Sequence, residues 1–275
     1  GSTPAGAAGD IDFDDVLDAA AAGNDHLRIE ALDAGAANLG SLTMTGQVGG
    51  VTPLGDVTIV NAGNVTVSAQ MTAETVDQQE GSGTTQFDAL LTLNAAGGLS
   101  LGSVNPLNNV TINGGVDTVT AAQGAGVSID LSGNLIIADT TDADDTGTID
   151  LDLDGDFTQT SSSGAATGQL AGEIRTTGDL VSFADPLTIT GNLVLATTNG
   201  AAGAGIALGG NLSDDGAARD LDFDAGTGDL DFDGSVGSGA NPFATVTVTD
   251  ANNVTFNATI HAAAFTQTAG QGTTR

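Results

Sequence analysis

A long internal repeat constrains this chain more than any other feature. Residues 51–85 and residues 240–274 align without a gap, so that position 51 matches position 240. The matched positions include turn residues and short strand-like segments: Pro53 with Pro242, Asn64-Val65-Thr66 with Asn253-Val254-Thr255, Gln78 with Gln267, and Gly83-Thr84-Thr85 with Gly272-Thr273-Thr274. With small insertions the match extends backwards to residues 9–13 and 40–50 of the first copy. Self-similarity of this kind predicts one supersecondary unit that is stacked many times.

The repeat also organises the chain into units. Residues 3–197 are predicted to form a first long repeat unit, and residues 198–275 are predicted to begin a second unit that continues the same stack. Residues 1–2, Gly-Ser, have the composition of an expression scar and are left out of the fold prediction.

A shorter rhythm lies inside the repeat. A Gly-Asn or Gly-Asp pair precedes an apolar segment at Asn64, Asn134, Asp156, Asp179, Asn192, Asn211 and Asp229, and from Asn134 onward the mean interval is about 20 residues. Gly, Asn and Asp favour turns because they tolerate left-handed backbone. The segments that follow alternate apolar and polar residues, which is typical of short strands. The pattern predicts an all-β solenoid, with about 14 coils of about 4.8 Å each and a rod about 65 Å long.

Two other folds compete with the solenoid. A β-sandwich also has short strands at close spacing, but at this length it would need two domains and a linker, and no stretch has linker composition. The abundant Ala, Gly and Val are expected to suit the narrow interior of stacked coils better than a sandwich core. A helix is suggested only over residues 16–22, and Gly23 would end it.

The charge of the chain excludes several functions. Four Arg and no Lys stand against 35 Asp and Glu, which gives a formal net charge of −31. Such a chain has no basic patch to neutralise phosphates, so nucleic-acid binding is not expected, and an anionic membrane surface would repel it. No Cys is present, so disulfides and thiolate zinc sites are excluded. No apolar run is long enough for a transmembrane helix, and direct membrane insertion is not expected.

Several segments resemble a known class of surface protein. The segments are FDAGTGDLDFDGSVGSGANPF (223–243), NNVTFNATIHAAAFTQTAGQGTT (252–274) and GNLVLAT (191–197). They resemble the giant β-strand-repeat proteins of environmental bacteria, which are similar to the passengers of filamentous-haemagglutinin-type and autotransporter-type surface proteins. The resemblance covers nearly the whole chain. It implies a right-handed parallel β-helix, forming a single elongated rod at the bacterial cell surface, and it implies no shared catalytic set.

Aspartates alternate with apolar residues in four stretches, which begin at Asp10, Asp150, Asp220 and Asp229. Two of these stretches match the first half of a calcium loop, D-x-D-x-D-G, but Ser161 or Ala240 stands where the last ligand, Glu, would be. The alternation therefore favours strands with aspartates facing outward. Calcium shared between carboxylates of neighbouring coils is the alternative, and no cofactor is predicted to be required. The candidate metal ligands are Asp152, Asp154, Asp231 and Asp233.

Outward aspartates on adjacent coils are expected to repel each other. At a spacing of about 4.8 Å, each like-charge pair costs roughly 1 kcal/mol in water and less in salt. The chain should therefore gain stability with salt, with calcium and in mild acid.

No catalytic residue is predicted. His26 and His261 are interpreted as surface or turn residues, and Ser161-Ser162-Ser163 as a loop. A β-helix carbohydrate lyase would need a base, for which only Arg28, Arg175 and Arg219 are candidates, and a hydrolase would need a specific carboxylate pair. Five Asn-x-Ser/Thr sequons leave glycosylation open.

The sequence thus predicts a non-enzymatic, extracellular structural or adhesive module of a large bacterial surface protein, acting as a stalk or matrix fibre. Its expected partners are neighbouring repeats of the same parent chain and components of the cell surface or matrix. A calcium-dependent adhesive module and a β-helix carbohydrate-active enzyme are the alternatives.

Overall fold

The computed structural model describes residues 9–31, 39–119, 124–138, 150–161 and 166–275. Within these ranges the chain forms 25 short β-strands, and every strand pairing is parallel. Each strand pairs with strands of the preceding and following coils, so the chain winds as a parallel β-solenoid with three faces. The predicted all-β fold is confirmed.

The strands fall into three columns. The first face contains β1 (Ile11–Phe13), β3 (Leu42–Met44), β5 (Val65–Val67), β7 (Thr84–Phe87), β10 (Asn109–Ile112), β13 (Leu135–Ile137), β20 (Leu212–Asp214) and the first parts of β16 (Gly168–Thr176) and β18 (Leu187–Ala196). The second face contains β8 (Leu91–Leu93), β11 (Val116–Asp117), β14 (Leu151–Leu153), β21 (Asp220–Asp224), β23 (Phe243–Asp250), β25 (Ala262–Gln267), the start of β6 (Met71–Gln78) and the ends of β16 and β18. The third face contains β2 (Leu27–Glu30), most of β4 (Leu54–Asn61), whose first residue Leu54 still pairs on the second face, the end of β6, β9 (Leu99–Leu101), β12 (Val127–Leu131), β15 (Phe157–Ser161), β17 (Val181–Phe183), β19 (Ile206–Leu208), β22 (Leu230–Phe232) and β24 (Val254–Phe256).

Single bridges complete the columns where no strand forms. Leu17 and Val48 continue the second face at the start of the chain, and Val236 and Ile260 continue the first face at its end. The helix considered over residues 16–22 does not form, because Leu17 bridges Val48 instead. In the part of the chain that the structure describes, no helix is long and apolar enough to cross a membrane.

The coils are longer and fewer than predicted. The first-face column from Ile11 to Ile260 holds eleven paired positions. The shortest coil runs from Gly168 to Leu187, and the longest runs from Leu135 to Gly168. Eleven coils at about 4.8 Å each make a stack about 53 Å long. The prediction of about 14 coils is wrong because the Gly-Asn rhythm marks corners on all three faces rather than complete turns.

The Asn and Asp residues of this rhythm join one coil to the next. Their side-chain oxygens accept hydrogen bonds from backbone N–H groups of the following coil: Asn64 from Thr84 (2.9 Å), Asn211 from Ser235 (2.8 Å), Asp229 from Asn253 (3.1 Å) and Asn253 from Thr273 (2.9 Å). The predicted left-handed backbone occurs at Gly178, before Asp179 (φ 101°), whereas the glycines before the other six residues of the rhythm do not have a positive φ. Two of these serve close approach between coils instead. A Cβ on Gly210 would overlap the backbone of Pro186, and one on Gly228 would overlap the backbone of Ala204.

The interior is one continuous apolar stack. Inward residues of the third face lie directly above one another: Val57, Val76, Leu99, Val127, Phe157, Val181, Ile206, Leu230 and Val254. Six of the nine Phe side chains are fully buried, namely Phe87, Phe157, Phe183, Phe223, Phe232 and Phe243. The expected Val and Ala side chains are part of this interior, but Leu, Ile and Phe side chains share it with them, so the interior is wider than predicted. Because each coil buries its side chains only against its neighbours, stability depends on stacking.

The strand register predicted from alternation is confirmed in the first copy. Val65 and Val67 are buried, and Thr66 faces outward and is half-buried. In the second copy Val254 is buried and the ring of Phe256 stacks on Phe232 at a centroid distance of 4.8 Å, as predicted, but Thr255, which the alternation predicts to face outward, is also buried. Phe256 is only partly buried because it lies near the end of the stack.

The two repeat copies keep their local structure but occupy different faces. Thr85 Oγ1 donates to Gln78 Oε1 (2.8 Å), and the counterparts Thr274 and Gln267 form the same hydrogen bond (2.5 Å). Val65 lies on the first face, whereas its counterpart Val254 lies on the third. From each residue to its counterpart the chain makes seven turns and advances two further faces. The long repeat is therefore not a whole number of coils.

The register gives a direct test. Val65→Asp would bury an unpaired carboxylate in the apolar stack and should destabilise the chain by about 4 kcal/mol or more. Thr66→Asp, the matched control one residue away, places the carboxylate outside and should cost less than about 1 kcal/mol. Chemical denaturation of the two variants measures the difference, and equal losses would contradict the register.

Candidate functional site

The outward side chains form polar rows that run along the faces of the solenoid. Many aspartates in these rows lie beside Thr, Ser or Asn of a neighbouring coil and accept hydrogen bonds from them. These pairs include Thr75 with Asp56 (2.7 Å), Ser103 with Asp77 (2.6 Å), Thr177 with Asp154 (2.8 Å), Thr249 with Asp222 (2.9 Å) and Asn257 with Asp233 (2.7 Å). The expected rows of facing aspartates are therefore largely absent from the described strands, because neutral donors separate the acids.

Direct register pairs of two acids occur at two places in the described strands. Asp117 of β11 lies beside Asp152 of β14, and Asp224 of β21 lies beside Asp250 of β23. Both pairs are on the second face. Among the register pairs of the described strands, direct contact between two acids is therefore confined to the second face.

Asp152 is the most constrained of the predicted metal ligands. It lies between Asp117 on one neighbouring coil and Arg175 on the other, and its Oδ1 accepts a hydrogen bond from Asn199 Nδ2 (2.7 Å). Burial raises the pKa of Asp152 above its ordinary value of 3.8, and the charge of Asp117 raises it further. The hydrogen bond from Asn199 and the charge of Arg175 act against this increase.

Asp154 begins a second acidic group at the corner that follows β14. Its carboxylate accepts hydrogen bonds from Gly124 N (2.6 Å) and Thr177 Oγ1 (2.8 Å). Burial raises the pKa of Asp179, and the charges of Asp156 and Asp154 raise it further. Asp156 also accepts a hydrogen bond from Leu180 N (2.8 Å), so part of this corner is held by backbone donors.

Asp231 and Asp233 lie elsewhere, on the third face at the end of β22. The register neighbours of Asp231 are Ala207 and Thr255, which carry no charge, and Asp233 accepts a hydrogen bond from Asn257. The structure therefore places the four predicted ligands in two separate pairs, on different faces and coils. In both stretches the intervening apolar residues are fully buried strand residues, as the strand interpretation predicted: Leu151, Leu153, Leu230 and Phe232.

Calcium binding by these aspartates stays a prediction. Among the described residues, no group of three or more His, Asp and Glu side chains is arranged to hold a metal ion.

A polar groove on the second face was not found from the sequence. Outward residues of β16, β18, β21 and β23 line it: Glu173, Arg175, Val194, Asp222 and Thr247. Arg175 Nη2 donates to the buried carboxylate of Glu173 at 2.7 Å. Glu173 and Arg175 are two residues apart in one strand, so their side chains lie on the same side of it. This spacing is the feature of the sequence from which the pair could have been predicted. This pair, which has no net charge, lies between the coils that carry Asp152 and Asp222.

The remaining candidates have ordinary structural surroundings. His26 Nδ1 accepts a hydrogen bond from Asp56 N (2.9 Å) and lies 3.3 Å from the Asp56 carboxylate, with both side chains more than half exposed. Arg28 pairs with Glu30 and Arg219 with Asp215. His261 lies at a corner, where its backbone joins Val236. Ser161 ends β15, and the other two serines of the predicted loop lie outside the described residues, as does the Gly-Ser start of the chain.

Comparison with known proteins adds no assignment. The chain matches no family model, no curated protein and no solved structure.

The shifted pKa values predict a stability maximum in mild acid. The folded-state pKa values of Asp152 and Asp179 lie above 3.8, so their protonation favours the folded state as the pH falls through those values. Hydrogen bonds from Asn253 and Asn252 hold the pKa of Asp229 below 3.8, so its stabilisation is lost at lower pH. Thermal unfolding should therefore show its highest midpoint in mild acid, below neutral pH and above the pH at which Asp229 becomes protonated.

Asp152→Asn separates this effect from a general charge effect. The variant should be more stable at pH 7, by about 0.5 kcal/mol after solvent screening, and should gain less on acidification. Asp231→Asn removes the same charge beside neutral neighbours and should keep the full acid response. An equal response of both variants would show that the local pairing of Asp152 is not the cause.

Proposed function

We propose that the chain is a rigid structural spacer, a stalk or fibre segment of a large extracellular bacterial surface protein. The observation that supports this most is the continuous stack of eleven coils, in which one backbone ladder and one apolar interior run from Ile11 to Ile260. A stack of this kind sets a fixed distance between its ends. The resemblance of residues 191–197, 223–243 and 252–274 to surface passengers supports the extracellular placement.

The outer surface supports the same role. Hydrogen bonds from Thr, Ser and Asn to Asp connect consecutive coils along the outside, while the apolar stack connects them inside. Bending the rod would break both sets of contacts at once. The partners of such a module are neighbouring repeats and, at its outer surface, components of the cell surface or matrix.

A calcium-dependent adhesive module is the second candidate. The facing carboxylates of Asp117 and Asp152 favour it, because two carboxylates on neighbouring coils can share a hard cation through their oxygen atoms.

The spacer role predicts a molecular ruler. Since the chain has no Cys, spin labels can be attached at introduced cysteines alone. A double variant with Asp12→Cys and His261→Cys places the two labels ten coils apart on the first face and should give a narrow distance distribution centred at about 50 Å. Asp12→Cys with Thr188→Cys spans seven rises and should give about 35 Å. Broad distributions, or distances that do not increase with the number of coils, would contradict a rigid spacer.

Calcium distinguishes the two candidates. If carboxylates share calcium, millimolar calcium should raise the thermal midpoint more than sodium chloride of equal ionic strength, and more than magnesium. Asp117→Asn should remove the difference, whereas Asp56→Asn, beside Thr75, should preserve it. A midpoint that responds to calcium and sodium chloride alike would leave the spacer role without a calcium-dependent function.

A further inference from the structure

The last coil of the solenoid has an uncovered apolar edge. Phe265 of β25 is 42% exposed, and Phe256, Ile260 and Ala262 are only partly buried against the core. β25 pairs with β23 on one side, and no described strand pairs with its other side. Backbone donors and acceptors of β25 are therefore available for another parallel strand.

The first repeat copy shows what covers such an edge. The counterparts of the uncovered residues are fully buried in the interior, because the next coil lies on them. Val67 pairs with Phe87, Met71 with Leu91, Ala73 with Leu93 and Val76 with Leu99. The second copy already begins the same coverage, since Thr274 bridges Val254 as Thr85 pairs with Val65.

The charge of the edge points in the same direction. The first copy carries Asp56, Glu74, Asp77 and Glu80, whereas the second carries Thr245, Ala263, Thr266 and Ala269 at these positions. No acidic residue follows Asp250 in a chain whose net charge is −31. A coil that carries an aspartate, such as Asp88 of residues 87–112, can therefore dock here without facing an acidic side chain of β25.

One cation is placed to receive such a coil. Arg275 stands where the first copy has Gln86, whose Nε2 donates to Asp88 at 2.6 Å. An arginine at this position would form an ion pair with the aspartate of an incoming coil that follows the same sequence.

We propose that this edge is the docking surface for a further coil with the sequence of this chain's own residues 87–112. Phe87 would cover Phe256, Leu91 would cover Ile260 and Leu99 would cover Phe265. The inference extends the proposed spacer role, because docking here lengthens the rod. The second copy lies two faces further along the winding than the first copy, which on three faces is the same as one face back. The docked coil therefore begins on the third face rather than on the first.

The test is a chain extended after Arg275 by a copy of residues 87–112. Amide exchange in β25 should become at least about tenfold slower, because its free edge would be hydrogen-bonded. The thermal midpoint should also increase by several degrees, since a nearest-neighbour interface has been added. The matched control carries Leu91→Asp, Leu93→Asp and Leu99→Asp within the appended copy and should show neither change.

Two results would overturn the proposal. One is an equal rate of amide hydrogen exchange in β25 for the chain extended by residues 87–112 and for its Leu→Asp control. This result would count against docking even if the extension were folded at another position. The other is concentration-dependent dimerisation of the unextended chain with β25 already protected, which would make a second copy the natural occupant. Spin-label distances in the unextended chain test the spacer role independently, so a failed extension would not be confused with a failed spacer.

Discussion

Parallel stacking of one coil on the next is the interaction on which the whole structure depends. No coil has a core of its own, because its inward residues are covered only by those of the coils above and below. The register Val57, Val76, Leu99 and Val127 shows this on the third face. Every other feature, from corner glycines to outer aspartates, is arranged at the spacing that this stack imposes.

The sequence predicted the strands well because alternation acts locally. Val65-Thr66-Val67 has one buried face whatever its place in the stack, so period-two alternation was sufficient to give its orientation. The coil length was not predictable from the same signal. The corners at Asn64, Asn192 and Asn253 look alike in sequence, and at each of them the Asn side chain accepts a hydrogen bond from a backbone N–H of the next coil. These three corners nevertheless lie on three different faces.

The outer surface shows a similar limit. The sequence indicated which aspartates face outward, but not which residues lie beside them, because that depends on how many residues each corner contains. The coil from Leu135 to Gly168 is the longest of the stack, and its length decides which residues of β16 lie above β13 and β14. The pairing of Asp152 with Asp117 and Arg175 follows from those lengths. A composition-based expectation of general repulsion could not separate this pair from Asp56, which lies beside Thr75.

The two copies can lie on different faces because the local structure of a copy does not depend on the length of the coils between the copies. Gln78 and Gln267 accept hydrogen bonds from equivalent threonines, because each bond involves only residues within one corner and the strand that follows it. Nothing in those contacts depends on the number of residues in distant corners. Insertions elsewhere in the long repeat unit can therefore change the face on which a copy lies without changing the copy itself. If further copies follow the same relation, equivalent side chains would project in three directions around the axis and return to the first direction after three copies. A rod built in this way would present equivalent strands on all three faces, so no single face would carry every copy of the repeat.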